Sequence, residues 1–388
     1  MKIVKVNELT PIQSGMLFQY MLTNDKSSYM GTEIFELEGN IDADIFRSVL
    51  DKISDEYEVF RTNVIYDKID KPKSVVIDKR TVPFAVHKAV NDNAVKQFTD
   101  EINAEQFKKG FDIQRDSLIR LDLVVGENSS VLIFSFHHIL MDGYCAAMIA
   151  DIIMKNYGKM IGRQCDNDVE YVPFSTYQDW IVAQDMSKSC EYWKEYLKGI
   201  SSVQPLDLVQ FESDKKKNIG HSSLTIEFTP LETQGLISIA SAGNATLNIC
   251  MQWLWGLTLC RNFSCDKAVF GTVVSYRPAE FDNAEQILGP MINTVPVVFA
   301  CNKDNPITEQ LKAFRKSFLD SMEHSWIGLG EISKTAEDCE NLIDHLFVYD
   351  NFPEMDFGSI KKNTGFQVKN FKLEERTEYA LTLEVSKT

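Results

Sequence analysis

Apolar residues along this chain recur with two periods, a spacing of three or four that marks a helical face and an alternation that marks a strand. Residues 12–21 carry Ile12, Met16, Leu17 and Tyr20 at helical spacing behind Thr10-Pro11, a cap followed by a first-turn proline. The same spacing predicts helices over 43–57, with Asp42 as cap, and over 93–108, 143–157, 175–184, 190–197, 248–262 and 308–321. Strands are predicted at 33–37, 60–66, 74–77, 82–87, 118–125, 130–138, 222–228, 268–275, 293–300 and 346–349. Gly126-Glu127-Asn128 separates two of these runs, which is a hairpin signal. The irregular mixture of helices and strands predicts α+β lobes and not a repeating βαβ array.

A sequence of 388 residues exceeds one ordinary core, so two lobes are expected. A polar, proline-containing stretch from Cys165 to Pro173 places their boundary near residue 172, giving 1–172 and 173–388. Hydrophobic residues at 44% and charged residues at 25% leave no stretch polar enough to stay unfolded. A formal charge of -16 excludes nucleic acid as the expected partner, because phosphate binding needs a basic face. Lys215-Lys216-Lys217 and Lys361-Lys362 read as solvated loop charges. The eight cysteines form no Cys-x-x-Cys pair and have no histidine at ligand spacing, so they read as reduced, mostly buried thiols, with no metal site. The charged stretch from Met1 to Leu9 is no signal peptide, and no apolar run approaches the ~18 residues of a membrane span. The cytoplasm is the expected compartment.

Chemistry concentrates at the end of the run 130–138. Alternation puts Val131, Ile133, Ser135 and His137 on one face and Leu132, Phe134, Phe136 and His138 on the other, so the two histidines point oppositely. One of them reaches a given cavity while the other is held in the scaffold. A helix then starts at Gly143, where unpaired backbone N–H groups suit a developing oxyanion, and Asp142 is placed to cap it. Two strand-end histidines at a turn are also what a scaffold uses to satisfy polar groups, and spacing alone leaves both readings open. No Gly-x-Ser-x-Gly elbow, phosphate loop, dinucleotide fingerprint or His-Glu-x-x-His helix competes with this constellation.

The segment His137-His138-Ile139-Leu140-Met141-Asp142-Gly143 resembles the His-His-x-x-x-Asp-Gly signature of the condensation domains of nonribosomal peptide synthetases. Leu9-Thr10-Pro11-Ile12-Gln13-Ser14-Gly15-Met16-Leu17-Phe18 is similar to that family's opening helix, and Glu58 and Arg61-Thr62 keep part of its Arg-His-Glu-x-Leu-Arg-Thr element. Glu56, Tyr57 and Phe60 stand in place of the usual Arg, His and Leu. Tyr177-Gln178-Asp179-Trp180, the strand ending in Ser275-Tyr276-Arg277-Pro278, and Gly289-Pro290-Met291-Ile292-Asn293-Thr294 resemble further family segments in the same order.

The resemblance implies an α+β fold of two chloramphenicol acetyltransferase-like lobes forming a V, with a substrate tunnel between them. It implies amide formation between a donor thioester and an acceptor amine, in antibiotic and other secondary metabolism. Both substrates arrive on the phosphopantetheine arms of upstream and downstream carrier domains, next to an adenylation domain, with no cofactor bound directly. His138 is then the group that takes or orients the amine proton, and the Gly143 N–H the oxyanion donor. His137 is structural, Asp142 pairs with Arg61, and Asn293 is a hydrogen-bonding residue with a possible substrate contact. His87, His221, His324 and His345 are expected on the surface or in loops. The segments around Phe136 and Thr10 resemble the subtype joining a D-configured donor to an L-acceptor. Since family domains run to roughly 430 to 450 residues, the sequence is expected to be incomplete at its C-terminal end. As an isolated domain it is expected to be a monomer, with no membrane partner. The rivals are an epimerisation domain, which needs a second acid/base group that no Glu-Gly-His-Gly-Arg-like segment supplies here, and a non-catalytic recruitment platform.

Overall fold

The computed structural model describes residues 2–39, 41–165, 171–200, 223–278, 281, 283–302, 304–336, 342–350, 357–375, 379 and 381–386. The fold opens with β1 (Ile3–Glu8), α1 (Pro11–Thr23), β2 (Met30–Glu38), α2 (Ala43–Glu56), β3 (Thr62–Ile65), β4 (Lys73–Ile77), β5 (Phe84–Lys88) and α3 (Asp92–Lys109). It continues through β6 (Ile119–Val125), β7 (Ser129–His137), α4 (Gly143–Met160), α5 (Phe174–Val182), α6 (Ser187–Tyr196), α7 (Pro230–Ala242), α8 (Leu247–Asn262) and β8 (Lys267–Ser275). It closes with β9 (Ile292–Ala300), α9 (Ile307–Met322), α10 (Leu329–Thr335), β10 (Leu346–Tyr349), α11 (Phe357–Thr364), β11 (Gln367–Glu375) and β12 (Thr382–Val385). Among the described residues no helix is long and apolar enough to cross a membrane.

These elements divide into two compact units. The first comprises Met1–Gln184, Arg277–Ile292 and Phe352–Glu378, and the second comprises Asp185–Tyr276, Asn293–Asn351 and Tyr379–Thr388. Where the sequence places a boundary at 172, the first unit continues to Gln184, because α5 packs beside β1 and the Gln178 amide donates to the Glu8 carbonyl at 2.9 Å. Two later segments also return to this unit, which a single cut of the sequence cannot represent.

In the first unit a five-stranded sheet runs in the order β11-β2-β7-β6-β5. The predicted hairpin is present as β6 against antiparallel β7, with Leu121 opposite Phe134, and β2 flanks β7 with Met30 opposite His137. Strand alternation separates the two faces as expected. Leu132, Phe134 and Phe136 join Phe46, Val49 and Ile53 of α2 and Ile149 and Ile153 of α4 in one buried cluster, while Val131 and Ile133 pack with Val95 and Ile102 of α3 in another. Truncating a fully buried side chain such as Phe136 costs ~3–5 kcal/mol. A second, three-stranded sheet has the order β1-β4-β3. The second unit holds a four-stranded sheet, β12-β10-β8-β9, whose core includes Trp253, Phe270, Val295, Val297, Phe299 and Phe347.

Local chemistry explains the helix starts. Thr10 and Gln13 form a reciprocal capping box at α1, and the Gln13 amide also donates to the Ile139 carbonyl at 2.9 Å, tying this helix to the histidine turn. Asp42 caps α2 by accepting from the Asp44 and Ile45 amides. The strand predicted at 222–228 is absent from its described part. Leu224, Ile226 and Phe228 alternate, but they are exposed and no strand pairs with them among the described residues, so the alternation buries nothing. Helix α7 was not predicted, although Thr229-Pro230 and Glu232 form a second capping box there. Lys361 and Lys362 lie in the last turn of α11 and not in a loop, where a cation suits the helix dipole; Lys215 to Lys217 lie outside the described residues. All seven described cysteines are free, with Cys145, Cys250 and Cys260 buried.

Candidate active site

Strand β7 ends at His137, and the turn from His138 to Asp142 leads into α4. The turn is pinned from several directions. The His138 amide donates to the Tyr29 carbonyl at 2.8 Å, the Leu140 amide to His137 O at 3.0 Å, and Ile139 and Met141 are buried.

The two histidines occupy different environments, as alternation requires. His137 is 0% exposed and ringed by Tyr20, Tyr29 and Phe111. Its Nδ1 accepts from the Ile139 amide at 3.0 Å, so any proton it holds sits on Nε2. Burial, helped by the neighbouring His138, pushes its pKa down to about 3. A histidine that stays neutral and faces aromatic rings is a scaffold element.

His138 is 8% exposed and sits edge-on to Phe136, with ring centroids 5.1 Å apart. Its Nδ1 lies 3.2 Å from the Met141 carbonyl, which can only accept, so Nδ1 carries a hydrogen and Nε2 is the acid/base position. Nε2 lies 3.2 Å from Glu375 Oε1, whose side chain is 33% exposed. Burial lowers the His138 pKa, but the charge and hydrogen bond of Glu375, then Asp142 and the Met141 carbonyl, outweigh it and leave the group above its ordinary value.

Asp142 is fully buried and caps α4, with Oδ1 accepting from the Cys145 amide at 3.0 Å and Oδ2 from the Met291 amide at 3.0 Å. Its cation is not Arg61. Arg277 Nη2 lies 3.6 Å from Oδ2, with a side chain 13% exposed. The Arg277 guanidinium also lies over the Tyr144 ring at 4.3 Å and donates to the Ala284 carbonyl at 2.6 Å. Arg61 instead donates to Ser54 O at 2.6 Å, Asp55 O at 3.2 Å and Ile77 O at 2.8 Å. The last turn of α2 leaves carbonyls without intrahelical donors, and this guanidinium satisfies them, which commits it away from Asp142. Arg277 was visible in Ser275-Tyr276-Arg277-Pro278, but nothing local in that segment points to Asp142.

Gly143 is buried and is the first residue of α4, where its N–H has no acceptor within the helix. The Cys145 thiol beside it is pushed up, chiefly by burial and then by Asp142, and is held by the Gly289 amide and carbonyl at 3.2 Å each, so it is no nucleophile. Asn293 belongs to the second unit. Its amide donates to the Ser325 and Ile327 carbonyls at 2.6 Å and its oxygen accepts from the Thr294 amide at 2.9 Å, the arrangement of a structural residue. His345 departs from the expected surface position: it is buried, accepting from Trp255 Nε1 at 3.0 Å and facing Asp344 at 2.5 Å. His87 sits on β5 against Asp122 at 2.8 Å, and His324 faces Ser189 at 3.0 Å; His221 lies outside the described residues.

Two carboxylates were missed, Glu375 beside His138 and Glu33, which interacts by charge with Glu375. Glu375 ends β11, opposite Gly31 of β2, which is itself opposite Phe136 of β7. A Cβ on Gly31 would meet the Phe136 ring at 2.6 Å, so the absence of a side chain there gives that ring its place beside His138. A register shift between Val368 and Asn370 brings Val368 and Phe371, three residues apart, opposite Leu37 and Phe35, two residues apart, and this break hid the strand from period-two reading. Glu33 of β2 is 3% exposed, and its Oε2 has no partner among the described residues.

Burial, and then the charge of Glu375, pushes the Glu33 carboxyl up from 4.5 to about 8. The unfolded state releases this proton near 4.5 whereas the fold retains it, so the contribution of Glu33 to stability is fully present below ~4.5 and is lost as pH rises to ~8, by roughly 4–5 kcal/mol in all. Glu33→Gln imitates the protonated acid and should flatten that decline. Urea midpoints at about pH 5 and about pH 8 measure it, and an equal decline in both proteins would show that Glu33 is not the group responsible.

Comparison with known proteins places this geometry. A family model described as Condensation domain matches residues 4–388. Gramicidin S synthase 2 of Brevibacillus brevis is 32% identical over 390 residues, covering 97% of this chain and 9% of that protein, so the sequence spans under a tenth of that relative's length. Among solved structures, the starter condensation domain of rhizomide synthetase is similar at TM-score 0.78 and 16% identity, covering 98% of this chain and 85% of that one. The first condensation domain of the calcium-dependent antibiotic synthetase is similar at TM-score 0.76 and 13% identity, covering 96% and 85%. With its histidine turn, its capped α4 and a family match along almost its whole length, the chain belongs to the condensation domain family.

Proposed function

We propose that this protein is an acyltransferase that forms peptide bonds in nonribosomal peptide synthesis by aminolysis of a thioester. One observation carries the reading: His138 has its Nδ1 hydrogen committed to the Met141 carbonyl, which leaves Nε2 as an oriented acid/base position beside the N-terminus of α4. An acceptor α-amine, with an ordinary pKa near ~8, is largely an ammonium at neutral pH and must lose a proton to attack. Nε2 takes that proton, and the Gly143 N–H stabilises the oxygen of the tetrahedral intermediate. The C–N bond forms, the C–S bond breaks, and the thiol leaves with a proton. The thioester is already activated, so positioning the two substrates supplies much of the acceleration, up to roughly 7–11 kcal/mol.

The substrates are aminoacyl or peptidyl groups on the phosphopantetheine arms of an upstream donor and a downstream acceptor carrier domain, with an adenylation domain as neighbour and no resident cofactor. The donor is D-configured at its reacting residue. Incubating the protein with one D- or L-loaded donor carrier and one loaded acceptor carrier, then analysing the acceptor-bound product by mass spectrometry, tests this. The expected result is an amide product, formed faster from the D-donor. A clear preference for L overturns the subtype; a racemised donor without an amide indicates epimerisation; no reaction by a folded protein indicates a recruitment platform.

A further inference from the structure

The environment of His138 contains a carboxylate that the reaction as described does not use. The imidazole is met by Glu375 at the end of β11, with Glu33 of β2 close enough to Glu375 to interact by charge. Asp142 at the start of α4 also faces it but is matched by Arg277, and His137 on β7 is neutral. Because Nδ1 already donates to Met141, Nε2 is the one position through which His138 can exchange a proton, and it lies 3.2 Å from Glu375 Oε1. An ionised carboxylate only accepts hydrogen bonds. With Glu375 ionised the contact is a hydrogen bond only while Nε2 is protonated, and the raised His138 and lowered Glu375 both favour that pairing of imidazolium and carboxylate. In that state the site is already filled by the proton it must remove from the substrate.

Resting on the amide-forming reading above, we propose that Glu375 is the positioning residue for His138, holding it as an imidazolium until the acceptor ammonium takes its place against the carboxylate. One cation replaces another beside Glu375, so the exchange leaves the carboxylate paired throughout. Once displaced, the imidazolium gives its Nε2 proton to solvent; one proton of the ammonium then passes to the vacated Nε2, a second leaves with the thiol, and the third remains on the amide nitrogen. His138 is thereby an imidazolium again and returns to Glu375, so the one net proton released per turnover is the one it gave up at the start. Glu33 deepens this arrangement. Burial and the charge of Glu375 keep it protonated near neutrality, so the carboxylate facing His138 is Glu375 and not a shared, half-neutral pair. Burial raises the Glu375 carboxyl, but the charge and hydrogen bond of His138 more than reverse this and hold it below its ordinary value.

Glu375→Gln tests the assignment because it keeps the side chain's size and removes its charge. The imidazole titration of His138, followed by NMR, should move to lower pH, and the acid limb of log kcat/KM for the acceptor carrier should move with it. On the plateau, KM for the acceptor should rise by roughly tenfold or more, the worth of one hydrogen bond to a charged group, with a smaller change in kcat. Glu375→Asp should restore the titration in part, which guards against a merely structural effect. A titration and an acid limb both unmoved in folded Glu375→Gln overturn the proposal. So does a titration that moves while the limb and KM stay put, since the pair would then exist without serving the reaction. A wild-type protein that makes no amide at any pH overturns the amide-forming reading instead, and the NMR titration still reports the pair by itself.

Discussion

His138→Ala lowers the rate of amide formation by ~10²-fold or more while the protein still folds. The substitution removes the imidazole whose Nδ1 is committed to the Met141 carbonyl and whose Nε2 is proposed to take the amine proton, and substrate positioning alone then sustains the remaining rate. Stability changes little, by about 1–2 kcal/mol, because the partner left behind, Glu375, is 33% exposed and can be hydrated. The cost should be largest between about pH 4.5 and the His138 titration, where the wild-type pair is imidazolium and carboxylate, and should shrink as pH rises through that titration, because the raised His138 and the lowered Glu375 contribute only while both are charged. Single-turnover rates with loaded carriers, read alongside melting temperatures, measure both. Undiminished activity would remove His138 from the chemistry, and a variant that unfolds would make it a scaffold residue like His137.

Asp142→Ala acts in the opposite sense and destabilises the protein by ~3–5 kcal/mol, because it leaves the nearly buried Arg277 guanidinium without its carboxylate. It also removes the acceptor for the Cys145 and Met291 amides, so the start of α4 and the segment before β9 lose their common anchor. Arg277→Ala should cost a comparable amount, and the double variant should be less damaged than the sum of the two. A cycle between Asp142 and Arg61 should instead be additive within ~0.3–0.5 kcal/mol, since the two residues share no partner. Urea denaturation of the single and double variants distinguishes the pairs. A strong coupling to Arg61 with none to Arg277 would reverse the assignment made from the geometry.

Much of this molecule follows from local rules. Thr10 and Gln13, Asp42, and Asp142 start their helices as their side chains dictate, because a cap needs only acceptors two or three residues from the amides it serves. The opposite facing of His137 and His138 follows from the pleat of β7, and the hairpin of β6 and β7 from the turn between them. The order of motifs, from the opening helix to Asn293-Thr294, was equally legible, and it was enough to identify the family.

Residue order alone therefore specifies most of the elements, the turn that bears the histidines and the opposite facing of the two. The partners of the charged groups were settled only on folding. Arg277 reaches Asp142, Arg61 goes instead to the end of α2, and Glu375 reaches His138 from a strand added at the edge of the sheet. None of these pairings leaves a local trace. Helical and strand periods record which face of a segment is buried, but a buried charge is matched by whichever opposite charge the fold brings near, and that depends on strand order and on register shifts such as the one in β11.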